Sequence, residues 1–225
     1  MCGRYATTRT AVDLSQLFQA EDDTAGALAP DYNLAPTDPA PIVRISASRG
    51  GRVVSVARWG FLPPWADDPR GGFKMINARA ETLASSRAFG PSFAAKRCIV
   101  PADGWYEWTR TPEGKQAYFM THADGLAFAG LWTAGKFGLT CTIITTAAQG
   151  ALATVHDRMP LLLAPVDWAT WLNGPADAEL LTPPGPELVS TVEIRPVGPR
   201  VGDVRNDGPE LTQRLGGSAE PVTLF

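Results

Sequence analysis

The sequence predicts an α+β fold: a mainly antiparallel β-sheet, curled toward a barrel, with short flanking helices. Three observations predict it. β-Branched and aromatic runs recur at short intervals through the middle of the 225-residue chain. Twenty Pro and twenty-two Gly are spread along it without forming a long linker. Helical periodicity is confined to a few short stretches.

In chain order, residues 11–19 predict a helix with Leu14, Leu17 and Phe18 on one face. Residues 41–46 and 52–59 are strand-like runs split by Gly50-Gly51, the signal of a hairpin. A short helix is expected from about residue 91 to 96. Strands then follow at 99–100, 105–109, 117–121, 127–132 and 139–145, with Pro112-Glu113-Gly114 as a turn between two of them. Residues 165–172 open on Pro165, suited to a first helical turn, and align Trp168 with Trp171 and Leu172. The Pro-, Gly- and acid-rich stretch 173–188 reads as a surface excursion, and 201–225 as a tail packing on the same domain. No internal repeat is evident, so one domain over 1–225 is the simplest division.

Composition excludes several classes. Hydrophobic residues are 44% and charged residues 19%, which is not the balance of a disordered chain. A chain of this length buries roughly 70% of its unfolded surface and needs no disulfide staples. No apolar run approaches the ~18 residues of a membrane span, and Met1 is followed directly by Cys-Gly-Arg-Tyr with no leader pattern. A soluble, cytoplasmic protein is expected. Cys2, Cys98 and Cys141 form no CxxC pair, and with only His122 and His156 no metal site and no cofactor are expected. The net charge of −3 argues against a basic coat for duplex DNA but allows a local basic cleft. Sixteen of the twenty basic residues are Arg, the side chain suited to bidentate phosphate contact.

Cys2 carries the first chemical signal. Removal of Met1 leaves an α-amine and a thiol on adjacent carbons, a 1,2-aminothiol. Their unperturbed pKa values of about 8 and 8.5 make both partly nucleophilic near neutral pH. With an aldehyde the amine forms an imine and the thiol closes on it as a five-membered thiazolidine. An internal Cys lacks the amine; an inert Cys at position 2 is the bland alternative. Glu107, set between Trp105-Tyr106 and Trp108, is either a carboxyl raised by an apolar setting or a surface Glu on an alternating strand. His156, followed by Asp157, is either an acid–base group or a core His bonded to its neighbours. The run Arg58-Trp59-Gly60-Phe61-Leu62-Pro63-Pro64-Trp65, with Arg4, Arg79 and Arg158, mixes aromatics with cations. That describes a single-strand nucleic-acid groove or ordinary core and loop packing. GxSxG, Walker A, HExxH and GxGxxG patterns are absent.

Seven ordered blocks, Met1-Cys2-Gly3-Arg4-Tyr5, Tyr32-Asn33-Leu34-Ala35-Pro36-Thr37, Trp59-Gly60-Phe61-Leu62-Pro63-Pro64-Trp65-Ala66, Ile76-Asn77-Ala78-Arg79-Ala80-Glu81-Thr82, Pro101-Ala102-Asp103-Gly104-Trp105-Tyr106-Glu107-Trp108, Thr145-Thr146-Ala147 and His156-Asp157-Arg158-Met159-Pro160, are distinctive in combination. Together they resemble the SRAP family, the SOS response-associated peptidases or abasic-site processing proteins, HMCES-like in animals. A looser match follows at Val204-Arg205-Asn206-Asp207-Gly208.

The resemblance implies a single SRAP domain that binds single-stranded DNA and cross-links through Cys2 to the ring-opened aldehyde of an abasic site, in the DNA damage or SOS response. It implies a catalytic set of Cys2 as nucleophile, Asn77 positioning the amine and sugar, Glu107 shuttling protons, and His156 assisting ring opening. It further implies DNA contacts at Arg4, Arg79 and Arg158 on phosphates, and at Asn33, Pro36, Trp65, Trp108 and Thr145 along the groove. Some relatives carry a second Trp where this chain has Ala66, which reduces stacking at that edge. The implied protein is a monomer, nucleoid-associated when bound, with abasic-site lyase activity if ring closure fails. Two other readings stand beside it: an N-terminal-nucleophile cysteine peptidase or amidase, and a plain single-stranded DNA-binding module.

Overall fold

The structure is a computed structural model that describes residues 2–112 and 114–216. Its strands are β1 (Tyr5–Thr7), β2 (Glu21–Asp22), β3 (Asp31–Leu34), β4 (Pro39–Ser46), β5 (Gly51–Trp59), β6 (Asn77–Arg79), β7 (Arg97–Thr111), β8 (Gly114–Gly135), β9 (Gly138–Ala147), β10 (Arg158–Pro160) and β11 (Glu193–Val197). The α-helices are α1 (Ala11–Phe18), α2 (Ala80–Leu83), α3 (Gly90–Ala95), α4 (Trp168–Asn173) and α5 (Pro186–Ser190). The class is the expected α+β, dominated by its sheet.

Five strands close on themselves. The hydrogen-bonded path runs β8–β9–β5–β4–β7, and β7 pairs back onto β8. All of these pairings are antiparallel except β5–β9, where Arg58 and Trp59 face Thr140 and Cys141 in parallel. The ring therefore has an inside and an outside, and the period-two alternation of strands divides the apolar residues between them. Ile42, Cys98, Val100, Phe128 and Ile143 join the inner cluster; Val43, Ile99, Ala129 and Ile144 join an outer one. Inside, the Tyr5 ring meets Trp59 edge-on at 5.1 Å, and Trp105 meets Phe128 edge-on at 5.9 Å. Gly130 keeps the interior clear, since a Cβ there would lie 2.9 Å from Val100 and 3.1 Å from the Cys98 sulfur.

Helices α1 to α4 cover the outer layer, whereas α5 adds Val189 to the inner cluster. A reciprocal capping box between Thr10 and Asp13 starts α1, and Leu14 and Phe18, four residues apart, turn the same face inward. α3 and α4 add Phe93, Trp171 and Leu172 to that layer. Buried Arg97 ties them down, donating to Phe93 O at 2.7 Å and to the carbonyls of Trp171 and Gly174.

The structure redraws several expected elements. The expected 99–100 and 105–109 strands are one strand, β7, and the expected 117–121 and 127–132 strands are one strand, β8. They are joined through an irregularity at which Ala102 faces Leu126 but Gly104 faces Thr121. Residues 122–125 bulge out there, so pairing resumes on both sides of a Gly-containing interruption. The expected 165–172 helix opens with a 3-10 turn at Pro165–Asp167 before α4. Within 173–188 lie a 3-10 turn at Ala178–Leu181 and the start of α5, with Leu180, Leu181 and Leu188 packed partly against the core. Farther on, Val201 and Leu211 bury beside Tyr106 and Phe119. Met1, Glu113 in the expected turn, and residues 217–225 of the expected tail lie outside the described residues.

Candidate active site

β1 lies antiparallel to β7, with Tyr5 facing Trp105 and Ala6 facing Gly104, and Tyr106 N donates to Arg4 O at 2.9 Å. This register carries the chain start along β7 toward Glu107. Glu107 lies two residues from Trp105 and so shares its face, the face of the inner cluster. Tyr106 points the other way, stacks on Phe119 at 4.7 Å and donates its hydroxyl to Tyr32 O at 2.8 Å. Gly104 permits this crossing, because a Cβ there would fall 2.4 Å from Met120 O.

Cys2 is 0% exposed and belongs to the inner cluster. Burial pushes its thiol up first, and the negative charge of Glu107 pushes it further. Glu107 is 4% exposed. Burial is also the main reason its carboxyl is raised; His156 opposes that rise and Asp157 adds to it. Cys2, Glu107 and His156, which lie far apart in sequence, therefore form one electrostatic unit.

Asn77 joins the unit from β6. Its Nδ2 donates to Cys2 O at 2.7 Å, while its Oδ1 is buried without a partner. The preceding residue is fixed twice: Trp59 Nε1 donates to Ile76 O at 2.9 Å and Ile143 N to the same oxygen at 3.0 Å. β6 then runs parallel to β9, with Asn77 beside Ile143 and Arg79 beside Thr145.

His156 lies between the 3-10 turn Gly150–Thr154 and β10, separated by Asp157 alone from that strand, which pairs with β9. Its Nδ1 accepts from Arg158 N at 2.9 Å and lies 2.8 Å from Asp157 Oδ1. These neighbours favour opposite proton placements. The Arg158 N–H suits a bare Nδ1, with the ring proton on Nε2, whereas Asp157 suits a protonated Nδ1. The backbone contact is the more constrained, since Asp157 is exposed and free to turn away.

The expected DNA-contact residues fall into separate settings. Arg79 is exposed. Thr145 is fully buried, and its carbonyl accepts from Arg158 Nη2 at 2.7 Å. Arg158 is also clasped by Glu81. Arg4 donates to Asn33 Oδ1 at 2.7 Å and to Val201 O at 3.0 Å. Asn33 is buried, and its Nδ2 donates to Asp203 O and Asn206 O, so in this state it ties β3 to the 199–207 loop. Pro36 is half-buried in the turn before β4, followed by Thr37 at φ 85°, a left-handed conformation unusual for a β-branched residue. Trp65 is 52% exposed, with the Arg87 guanidinium 5.4 Å above its ring. Trp108 is half-buried beside Tyr106. Among the described residues, no three His, Cys, Asp or Glu side chains gather as metal ligands. No helix among them is long and apolar enough to cross a membrane.

Glu81 and Trp59 show no role on sequence grounds, because their partners, Arg158 and Ile76, lie 77 and 17 residues away.

The chain and its ring of strands have counterparts in known proteins. The family model for SOS response associated peptidase (SRAP) matches residues 1–204, and the chain belongs to that family. It is 36% identical to Abasic site processing protein YoqW of Bacillus subtilis over 95% of this chain and 99% of that one. It is 34% identical to Abasic site processing protein YedK of Escherichia coli, with the same coverage. It is 32% identical to Abasic site processing protein HMCES of Gallus gallus, covering 93% of this chain and 76% of that one. A crystal structure of a Bacteroides thetaiotaomicron protein superposes with a TM-score of 0.79 at 23% identity, covering 95% of this chain and 99% of the other, a likeness of fold.

Proposed function

We propose that this chain captures abasic sites in single-stranded DNA as a thiazolidine cross-link to Cys2, shielding the lesion. One observation carries the reading: Asn77 Nδ2 holds the Cys2 carbonyl at 2.7 Å, in a buried setting where burial first and the Glu107 charge second raise the Cys2 thiol. The relatives' description as abasic site processing proteins supports it.

With Met1 removed, the α-amine adds to the sugar aldehyde and water leaves, giving an imine. The thiol sulfur then adds to the imine carbon, the C=N pair moves onto nitrogen, and the thiol proton is delivered there. The product is a thiazolidine plus one water, with no oxidant or reductant consumed. A thiol raised by burial needs a base to release its proton, and a carboxyl raised by burial is a stronger base than an ordinary one. Glu107 supplies that exchange, and the unpartnered Asn77 Oδ1 accepts from the amine or a sugar hydroxyl. His156 assists opening of the closed sugar. An imine at C1′ promotes β-elimination of the strand; closure by sulfur removes the electron sink, and lyase activity is what remains when closure fails.

Arg4, Arg79 and Arg158 serve the phosphates; Asn33, Pro36, Trp65, Trp108 and Thr145 shape the groove. The protein acts as a monomer on cytoplasmic, nucleoid-associated DNA. The test is a denaturing gel of protein incubated with abasic or intact single-stranded oligonucleotides. A heat-stable shifted band with the abasic strand alone supports the reading. Binding without such a band favours a plain DNA-binding module, and cleavage of a peptide panel without it favours the peptidase reading.

A further inference from the structure

Arg158 is an expected phosphate ligand whose fork is already filled. Nη1 donates to Glu81 Oε1 at 2.6 Å, and Nη2 donates to Glu81 Oε2 at 3.0 Å. Nη2 also donates to Thr145 O at 2.7 Å. Nε is buried without a partner, and the Arg158 side chain is 14% exposed. The bidentate edge that would take two phosphate oxygens is thus occupied by two carboxylate oxygens in the same arrangement. Glu81 differs from Arg158 in being half exposed, so it has room to swing into water while Arg158 stays anchored to Thr145.

We propose that Glu81 is a displaceable stand-in for a DNA backbone phosphate. It keeps Arg158 in its strand-bound posture and leaves when a strand arrives. The proposal rests on the reading above, in which Arg158 meets phosphate. The Glu81 end of the pair is open to water, where an ion pair is weak, so exchange is easy. A phosphate nevertheless has to displace an anion before it gains the Arg158 fork. The pair therefore holds down affinity for undamaged strands. Retention is left to the covalent step at Cys2, which an intact strand cannot undergo. Arg79, exposed at the end of β6 directly before α2, feels the Glu81 charge but makes no ion pair with it, and supplies first capture.

A double-mutant cycle on binding to an intact single-stranded oligonucleotide, read by anisotropy, tests this. Glu81→Gln, which keeps size and removes charge, is expected to tighten binding about two- to fivefold, the scale of one ion pair open to water at its carboxylate end. In an Arg158→Ala background the same change is expected to have a much smaller effect, because no fork remains to be released and only the longer-range pull on Arg79 is relieved. Glu81→Ala should repeat the pattern, with circular dichroism showing that each variant is folded. An equal gain in both backgrounds would make Glu81 a general negative charge and overturn the proposal. Weaker binding by Glu81→Gln would make it a prop for Arg158 and overturn it too. If the parent protein bound no intact strand at any salt concentration, the underlying reading would fail as well.

Discussion

Asn77 Nδ2 donates to the carbonyl oxygen of Cys2 at 2.7 Å, across 75 residues of sequence. The contact links β6 to the start of the chain. It leaves the Asn77 Oδ1 buried beside the Cys2 main chain with no acceptor duty of its own.

Asn77→Ala should therefore slow cross-linking more than it weakens strand binding. Loss of a positioning hydrogen bond and of an aimed acceptor should reduce the single-turnover rate by roughly tenfold or more, within the range for placed acid–base and polar groups. Anisotropy on an intact strand should change little. A rate equal to that of the parent would assign Asn77 a purely structural role.

Glu107 should make the protein less stable as pH rises. Its folded-state carboxyl is raised by burial, so the folded state prefers it protonated. The favourable contribution is complete below the ordinary unfolded value and fades as pH climbs through the raised folded one. Glu107→Gln should then melt higher than the parent at pH 8, with the gap closing toward pH 4. A parent protein that is more stable than Glu107→Gln across this range would contradict the burial argument.

Glu107→Gln and His156→Ala should each slow cross-linking by at least roughly tenfold, a cautious floor on general acid–base effects. His156→Ala should also slow release of the strand from a preformed adduct, because reversal uses the same proton transfers. Parallel losses of binding and rate would move these residues from the chemistry to the groove.

Gly104→Ala probes the scaffold beneath the site. An added Cβ would lie 2.4 Å from Met120 O and 2.5 Å from the Phe119 ring. Overpacking of this kind costs about 1–3 kcal/mol. Chemical denaturation should register that loss, and cross-linking should slow because Glu107 lies three residues along the same strand. Unchanged stability would mean that β7 and β8 shift apart more easily than their pairing suggests.

The residues that the structure couples around Cys2 were individually legible, Cys2 from its place directly after Met1, and Asn77, Glu107 and His156 from polar residues set among apolar ones. The 41–46 and 52–59 strands were legible from local β-branched runs. Short β1, β6 and β10 were not, since three residues carry little propensity and are held by distant partners such as Trp105, Ile143 and Thr146. The continuity of β7 and β8 was hidden by Asp103 and by Asp124-Gly125, which read locally as breaks but here occupy a bulge. The clasp of Arg158 by Glu81, and of Arg4 by Asn33, joins residues far apart in sequence, so composition alone made each Arg look available.

Cys2 is proposed to close a thiazolidine on the abasic sugar. Intact-mass spectrometry of protein incubated with an abasic single strand, without reductant, tests it most directly. The expected species equals the Met1-less protein plus the strand minus one water, resists heat, and is lost in Cys2→Ala while binding to intact strand persists. A heat-stable adduct of that mass from Cys2→Ala, or from protein retaining Met1, would contradict it.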